Sequence, residues 1–233
     1  AARIAVIGAM AKNLRYQGAG SSHINPTGLS QPLDFLPDAI YAPGCDDRGD
    51  TTDALLEEAR AAAEQAEVAV IFAGLPDRYE SEGFDRDNMK MPEGHLRMIE
   101  AVTGANPNTA VILLCGSAVE CPWADEVKAV LYMGLPGQAG GEAIAELLYG
   151  RVNPSGKLAE SWPFAYGDVP SSEVYSKTAD ALYQDGVYVG YRYYDKAGVP
   201  VRWRFGYGLS YTTFAYSDLT VNGDTVSVTV RNT

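Results

Sequence analysis

A chain of 233 residues, 46% of them hydrophobic and 21% charged, can bury the core of one large globular domain with a smaller piece besides. A formal charge of −12, without clusters of Lys and Arg, argues against nucleic acid and against an anionic membrane surface as partners. No stretch approaches the ~18 apolar residues of a membrane span.

Four short apolar runs, at 4–7, 68–72, 110–114 and 129–133, are continuous rather than alternating. That pattern predicts parallel strands covered on both faces by helices. Helical patterns lie between them. Residues 52–66 are rich in Ala, Leu and Glu and follow a capping pair, Asp50-Thr51. Residues 92–105 carry Leu96, Ile99 and Val102 near helical spacing, and Gly150 stops a third pattern over 138–149. Strand and helix alternate, so the predicted fold class is α/β, a mostly parallel sheet flanked by helices.

After Arg151 the composition shifts to Pro, Gly, Tyr and Ser. Residues 152–212 read as a long ordered wrap over the first unit, because their many aromatics need burial. From Phe214 the pattern alternates through Leu219 and Val221, then Val226, Val228 and Val230, around Asn222-Gly223-Asp224; that predicts a β-hairpin. Two strands do not make a stable sandwich alone. Residues 1–212 are therefore expected to be the α/β domain, and 213–233 the opening of a truncated β-sandwich domain. The strand-like start at Ala2-Arg3-Ile4 predicts further sequence upstream.

Cys115 ends the third apolar run and reads as a buried structural thiol. With Cys45 and Cys121 it makes an odd count without metal-ligand spacing, which favours a reducing, cytoplasmic compartment. His23 and His95 are the only histidines, too few to support a histidine metal site or a Ser-His-Asp triad.

The chemistry concentrates in one loop. Tyr79-Glu80-Ser81-Glu82-Gly83-Phe84-Asp85-Arg86 sets two glutamates, two aromatics, an aspartate and an arginine beyond the second apolar run. In an open parallel sheet, the loop leaving the carboxyl end of a strand usually carries binding and chemistry. Gly83 allows a sharp turn there. Asp85 and Arg86 are expected to pair with each other and stiffen the loop. A dinucleotide fingerprint would place its glycines at the strand end, whereas Gly18-Ala19-Gly20-Ser21-Ser22 comes well after the first strand. Gly8-Ala9-Met10-Ala11-Lys12 makes no convincing phosphate loop either, so a flavodoxin-like nucleotide-binding reading is poorly supported.

Four segments carry a family likeness in order: residues 17–26 (QGAGSSHINP), 82–86 (EGFDR), 134–141 (GLPGQAGG) with 150–158 (GRVNPSGKL), and 205–214 (FGYGLSYTTF). On them the chain resembles the second domain of family 3 glycoside hydrolases, the β-glucosidase and β-xylosidase type. The resemblance covers essentially the whole chain. It implies a division of labour in which a (β/α)8 barrel supplies an Asp nucleophile and an α/β sandwich domain supplies the acid/base Glu. A fibronectin-III-like domain usually follows. The barrel has no counterpart in these residues, so the resemblance implies no turnover until a barrel joins, from the same or another polypeptide and on either side.

By the same resemblance Glu82 is the acid/base, with Glu80 as the alternative. Phe84 matches an aromatic that stacks on the leaving-group sugar, or else it anchors the loop. Ser21 either reaches the sugar in the neighbouring barrel or is a plain turn serine, and Arg15 and Tyr16 are expected to serve the same rim as substrate-binding residues. Residues 134–141 are expected to pack strand against helix, and the tyrosines of 183–194, with Gly186 and Gly190, to pack the wrap. The implied substrate is a β-linked oligosaccharide or an aryl or alkyl β-glycoside, with no metal or organic cofactor. The alternative is a non-catalytic carbohydrate-binding or assembly module of the same fold.

Overall fold

The computed structural model describes residues 2–175, 177, 179–181 and 183–233. Five strands form one parallel sheet: β1 (Ile4–Ile7), β2 (Ile40–Ala42), β3 (Val68–Gly74), β4 (Thr109–Leu114) and β5 (Ala129–Tyr132), in the order β2-β1-β3-β4-β5. Alternate residues of the central strands enter two different cores. Ala5, Ile7, Ala69, Ile71, Val111 and Leu113 pack with α1 (Asp53–Glu64) and α2 (Glu93–Ala105). Val6, Val70, Phe72, Ile112 and Leu114 pack with Ile144 and Ala145 of α3 (Gly140–Leu148). Burial on both faces is why these strands read as unbroken apolar runs. Each fully buried aliphatic side chain contributes roughly 1.5–3 kcal/mol, so the central strands form the rigid base of the molecule.

The expected helices form, with one change of cap. Thr52, not the Asp50-Thr51 pair, caps α1, its hydroxyl oxygen accepting from the Leu55 N–H at 3.3 Å. Thr51 instead donates to the Gly44 carbonyl at 2.6 Å, and Asp50 pairs with Arg78. Residues 134–141 do provide close packing, but of loop against helix: a Cβ on Gly141 would meet the Ser30 carbonyl oxygen at 2.6 Å.

The wrap is ordered by backbone pairing and by one tryptophan. β6 (Trp162–Pro163) pairs antiparallel with β7 (Val201–Trp203). Trp162 is 1% exposed and sits between Tyr132 of β5, at 5.2 Å, and Trp203, at 5.4 Å. Two of the segments that carry the family likeness lie side by side here: the Leu158 N–H donates to the Tyr207 carbonyl at 2.9 Å, and the Gly206 N–H to the Leu158 carbonyl at 2.8 Å. The expected wrap also includes Ser176, Thr178 and Leu182, which lie outside the described residues. Tyrosine packing is narrower than expected. In the 183–194 stretch Tyr194, in a short helix α4 (Tyr191–Ala197), is buried, whereas Tyr183 is 95% exposed.

Residues 214–232 form the expected hairpin, β8 (Phe214–Asn222) with β9 (Thr225–Asn232). Its apolar alternation slips by one residue between Tyr216 and Leu219. A bulge there, with Asp218 at φ 56°, restores the phase. Phe214, Tyr216, Leu219 and Val221 thereby share one face with Val226, Val228 and Val230, and all of them are exposed.

His95 of α2 is buried, with Nδ1 3.0 Å from the carbonyl oxygen of Gly74 at the end of β3. Desolvation lowers its pKa from 6.5 to about 4, against the opposing pull of the Gly74 hydrogen bond. The folded chain therefore keeps the ring neutral where the unfolded chain takes up a proton. This contribution to stability is complete above pH 6.5 and is lost as pH falls toward about 4. Urea midpoints measured from pH 7.5 to 4.5, values chosen to span roughly that window, should fall less steeply for His95→Gln than for the parent chain. Parallel slopes would show that His95 is not a source of acid sensitivity.

Candidate active-site loop

In this strand order the connections diverge between β1 and β3, and the crevice outside the carboxyl ends of those strands is where ligands bind in open α/β sheets. The loops leaving β1 and β3 meet there. Gly8, the first residue beyond β1, is tight against its neighbour: a Cβ would lie 2.2 Å from the Phe72 carbonyl oxygen. This glycine therefore serves strand packing, and its segment turns into a buried 3-10 helix, Ala9–Ala11, instead of a phosphate-binding loop.

Arg15 follows and is 7% exposed. Its guanidinium donates to the Leu75 carbonyl and, at 2.8 Å, to the Glu80 carbonyl. Nη2 also lies 3.4 Å from the Glu80 carboxylate. Nη1 and Nη2 of Arg15 are thus engaged inside the protein, on the loop that carries Glu82. Tyr16 is half-buried, accepting from Gln17 at 2.7 Å and donating to the Ile24 carbonyl at 3.3 Å, so it ties its own loop together. An open cleft of about 410 Å³ runs beside this loop, lined by Arg15, Tyr16, Gln17, His23 and Asp77; Glu82 does not line it.

Glu82 itself is exposed, and Oε2 accepts from the Ser21 N–H at 2.8 Å and from the Ser21 hydroxyl. These two donors, the hydroxyl first, hold its carboxyl below the usual glutamate value. Ser21 can approach because Gly20 precedes it. Gly20 has φ +84°, and a Cβ there would stand 2.7 Å from the Glu82 Cβ. Gly20→Ala should therefore cost about 1–2 kcal/mol from the left-handed backbone and push Glu82 off Ser21. Thermal melting and the Glu82 carboxyl shift in ¹³C NMR check both effects. An unchanged Glu82 signal would contradict the contact.

Beyond Glu82, Gly83 turns the chain at φ +93° and Phe84 is 48% exposed, its ring available at the rim. The expected Asp85–Arg86 pair does not form. Asp85 accepts from the Tyr175 hydroxyl at 2.9 Å, and Arg86 donates to the Ser117 hydroxyl at 2.8 Å. Tyr175 of the wrap and Ser117 beyond β4 offer each charge its own partner, which draws the two side chains apart. Glu80 turns inward, accepting from the Gly116 N–H at 2.8 Å and the Ser117 hydroxyl at 2.6 Å. Ser117 and Gly20 also shape this loop cluster. No motif marks Ser117, and Gly20 stands out in the sequence only as part of the 17–26 segment.

Cys115 is buried and free, its thiol pushed up by desolvation, and burial likewise raises Cys45 to about 11 and Cys121 to about 12. Burial thus favours the protonated thiol at all three positions. Among the described residues no cluster of His, Cys, Asp and Glu is arranged to hold a metal ion.

The family model described as the glycosyl hydrolase family 3 C-terminal domain matches residues 1–211. The chain belongs to that family. This family 3 domain is 49% identical to the thermostable beta-glucosidase B of Acetivibrio thermocellus over 96% of the chain, which is 31% of that protein. It is 45% identical to the exo-alpha-(1->6)-L-arabinopyranosidase of Bifidobacterium breve over 99% of the chain, 32% of that protein. It thus spans about a third of the length of these curated relatives. Among solved structures, the GH3 beta-glucosidase of Bifidobacterium adolescentis matches with a TM-score of 0.94 and 42% identity, over 100% of this chain and 36% of that one. DesR, a beta-glucosidase from Streptomyces venezuelae in complex with D-glucose, matches at 0.89 and 30%, over 98% and 44%. In each of these relatives and structures the matched region is one part of a longer polypeptide.

Proposed function

We propose that this chain is the acid/base-supplying domain of a retaining β-glycosidase, working on β-glucosides or related β-linked sugars with a (β/α)8 barrel that carries the Asp nucleophile. One observation supports this reading best. Of the two loop glutamates, Glu80 is turned inward onto fixed donors, while Glu82 stands exposed at the carboxyl edge of the sheet. Of this pair, Glu82 is the one placed to meet a substrate held by another domain.

In a retaining mechanism the two carboxyl groups stand about 5–5.5 Å apart. Glu82, protonated, gives its proton to the departing glycosidic oxygen as the nucleophile attacks the anomeric carbon. The alcohol leaves and a glycosyl ester remains on the nucleophile. Glu82, now a carboxylate, takes a proton from the water that cleaves that ester, and the anomeric configuration is retained. Ser21, whose donors stabilise the charged form, suits this second step. The first step needs the opposite shift. Burial by a covering domain and the charge of a neighbouring nucleophile raise a carboxyl pKa, and both arrive with the barrel. Phe84 offers its ring to the apolar face of the leaving-group sugar.

The exposed apolar face of the hairpin supports reading 213–233 as the first strands of a fibronectin-III-like domain, since such a face is normally covered by a second sheet. The functional reading is tested by assaying aryl β-glucosides with a polypeptide that joins this chain to its barrel, with Glu82 intact and as Gln. Loss of hydrolysis in the variant supports the acid/base role. Full activity would leave the chain as a non-catalytic carbohydrate-binding or assembly module.

A further inference from the structure

Glu80 and Arg86 bracket the segment that carries Glu82 and Phe84, and both reach the same residue. The Ser117 hydroxyl, just beyond β4, donates to Glu80 Oε1 at 2.6 Å and accepts from Arg86 Nη1 at 2.8 Å. Glu80 Oε2 accepts in addition from the Gly116 N–H at 2.8 Å and faces Arg15 Nη2 at 3.4 Å. Gly116 makes room for this docking, since a Cβ there would stand 3.3 Å from both Glu80 oxygens. Arg15 in turn grips the carbonyls of Leu75 and Glu80, at the start of the same loop. The loops leaving β1, β3 and β4 are thereby joined at one charged, half-buried knot.

The geometry points to Glu80 and Ser117 as positioning residues: they pin both feet of the 80–86 segment to the β4 loop, so that Glu82 and Phe84 are presented from a fixed base. The inference rests on the acid/base reading of Glu82 and assigns the other carboxylate a distinct duty. Hydrogen bonds to an ionised carboxylate are the strong ones, and here they bind a loop to backbone and hydroxyl donors on a neighbouring strand end. The Glu82 carboxylate, by contrast, holds Ser21 alone among the described residues and can exchange it for a glycosidic oxygen without disturbing its own backbone. Fixed placement of a reacting group is worth a large factor in rate: a shift of about 1 Å costs on the order of 10²-fold.

Two measurements on Ser117→Ala, Ser117→Thr and Glu80→Gln test this. In the chain itself, amide hydrogen exchange over 81–86 should speed up at least roughly tenfold in Ser117→Ala and Glu80→Gln. Exchange within β3 and β4 should stay as it was. In the polypeptide joined to its barrel, kcat should fall by about ten- to 10²-fold with KM little changed, and Ser117→Thr, which keeps the hydroxyl, should recover most of the loss. Unchanged exchange, unchanged kcat, or equal losses in the Ala and Thr variants would overturn the assignment. Should Glu80→Gln fail to fold, the two Ser117 variants carry the test. If Glu82→Gln itself leaves turnover intact, the acid/base reading fails, while the exchange experiment still decides whether the knot pins the loop.

Discussion

Glu82→Ala, in a polypeptide that joins this chain to its barrel, should lower turnover of unactivated β-glucosides by roughly 10²–10⁴-fold, the usual contribution of general acid–base catalysis. The loss should depend on the leaving group. An alkyl alcohol or a second sugar departs poorly without a proton, so its release suffers in full. A nitrophenolate leaves unaided, so the first step survives and the glycosyl ester accumulates, because Glu82 no longer activates water. A burst of nitrophenolate followed by slow turnover is therefore expected, together with loss of the alkaline limb of the pH profile, which reports the acid. Equal losses on good and poor leaving groups would indicate a merely structural role for Glu82.

Trp162→Ala should be the most damaging single substitution to stability, at roughly 3–5 kcal/mol. The side chain is 1% exposed and holds the wrap to β5 through edge contact with Tyr132 and a tilted contact with Trp203. No long element secures this region, since β6 and β7 are two and three residues long. The indole N–H has no hydrogen-bond partner among the described residues. Trp162→Phe, which keeps an aromatic ring and removes that buried donor, should therefore recover much of the loss. Urea unfolding of the three proteins measures it. A loss below about 1 kcal/mol in the alanine variant would mean that the wrap is held elsewhere.

Residues that face a core on both sides were readable from the sequence, and residues whose meaning lies across the fold were not. Val70 and Ile71 enter different cores, so their strand has no polar face and could be recognised as a central parallel strand. β2 escaped notice because Ile40 and Tyr41 are only half-buried at the sheet edge and the strand is three residues long. α4 escaped because Tyr194 alone among its residues is buried, which leaves no apolar stripe to recognise. The loop holding Glu82 was legible from its composition and its place after a strand, and the family likeness singled out one carboxylate. The different surroundings of the two glutamates were not legible. They depend on Gly116 and Ser117, thirty-six and thirty-seven positions along the chain from Glu80, and on Ser21, sixty-one from Glu82. Adjacency misled at Asp85 and Arg86, where the loop sends neighbouring charges to opposite partners.

The most direct test of the central claim is the reaction of Glu82→Ala, joined to its barrel, with an activated aryl β-glucoside in the presence of azide. Azide needs no base and attacks the glycosyl ester from the face that water would use. The account predicts turnover that rises with azide and a β-glucosyl azide as the product, identified by the anomeric coupling in ¹H NMR. An α-glucosyl azide would make Glu82 the nucleophile, and turnover indifferent to azide would remove it from the chemistry altogether.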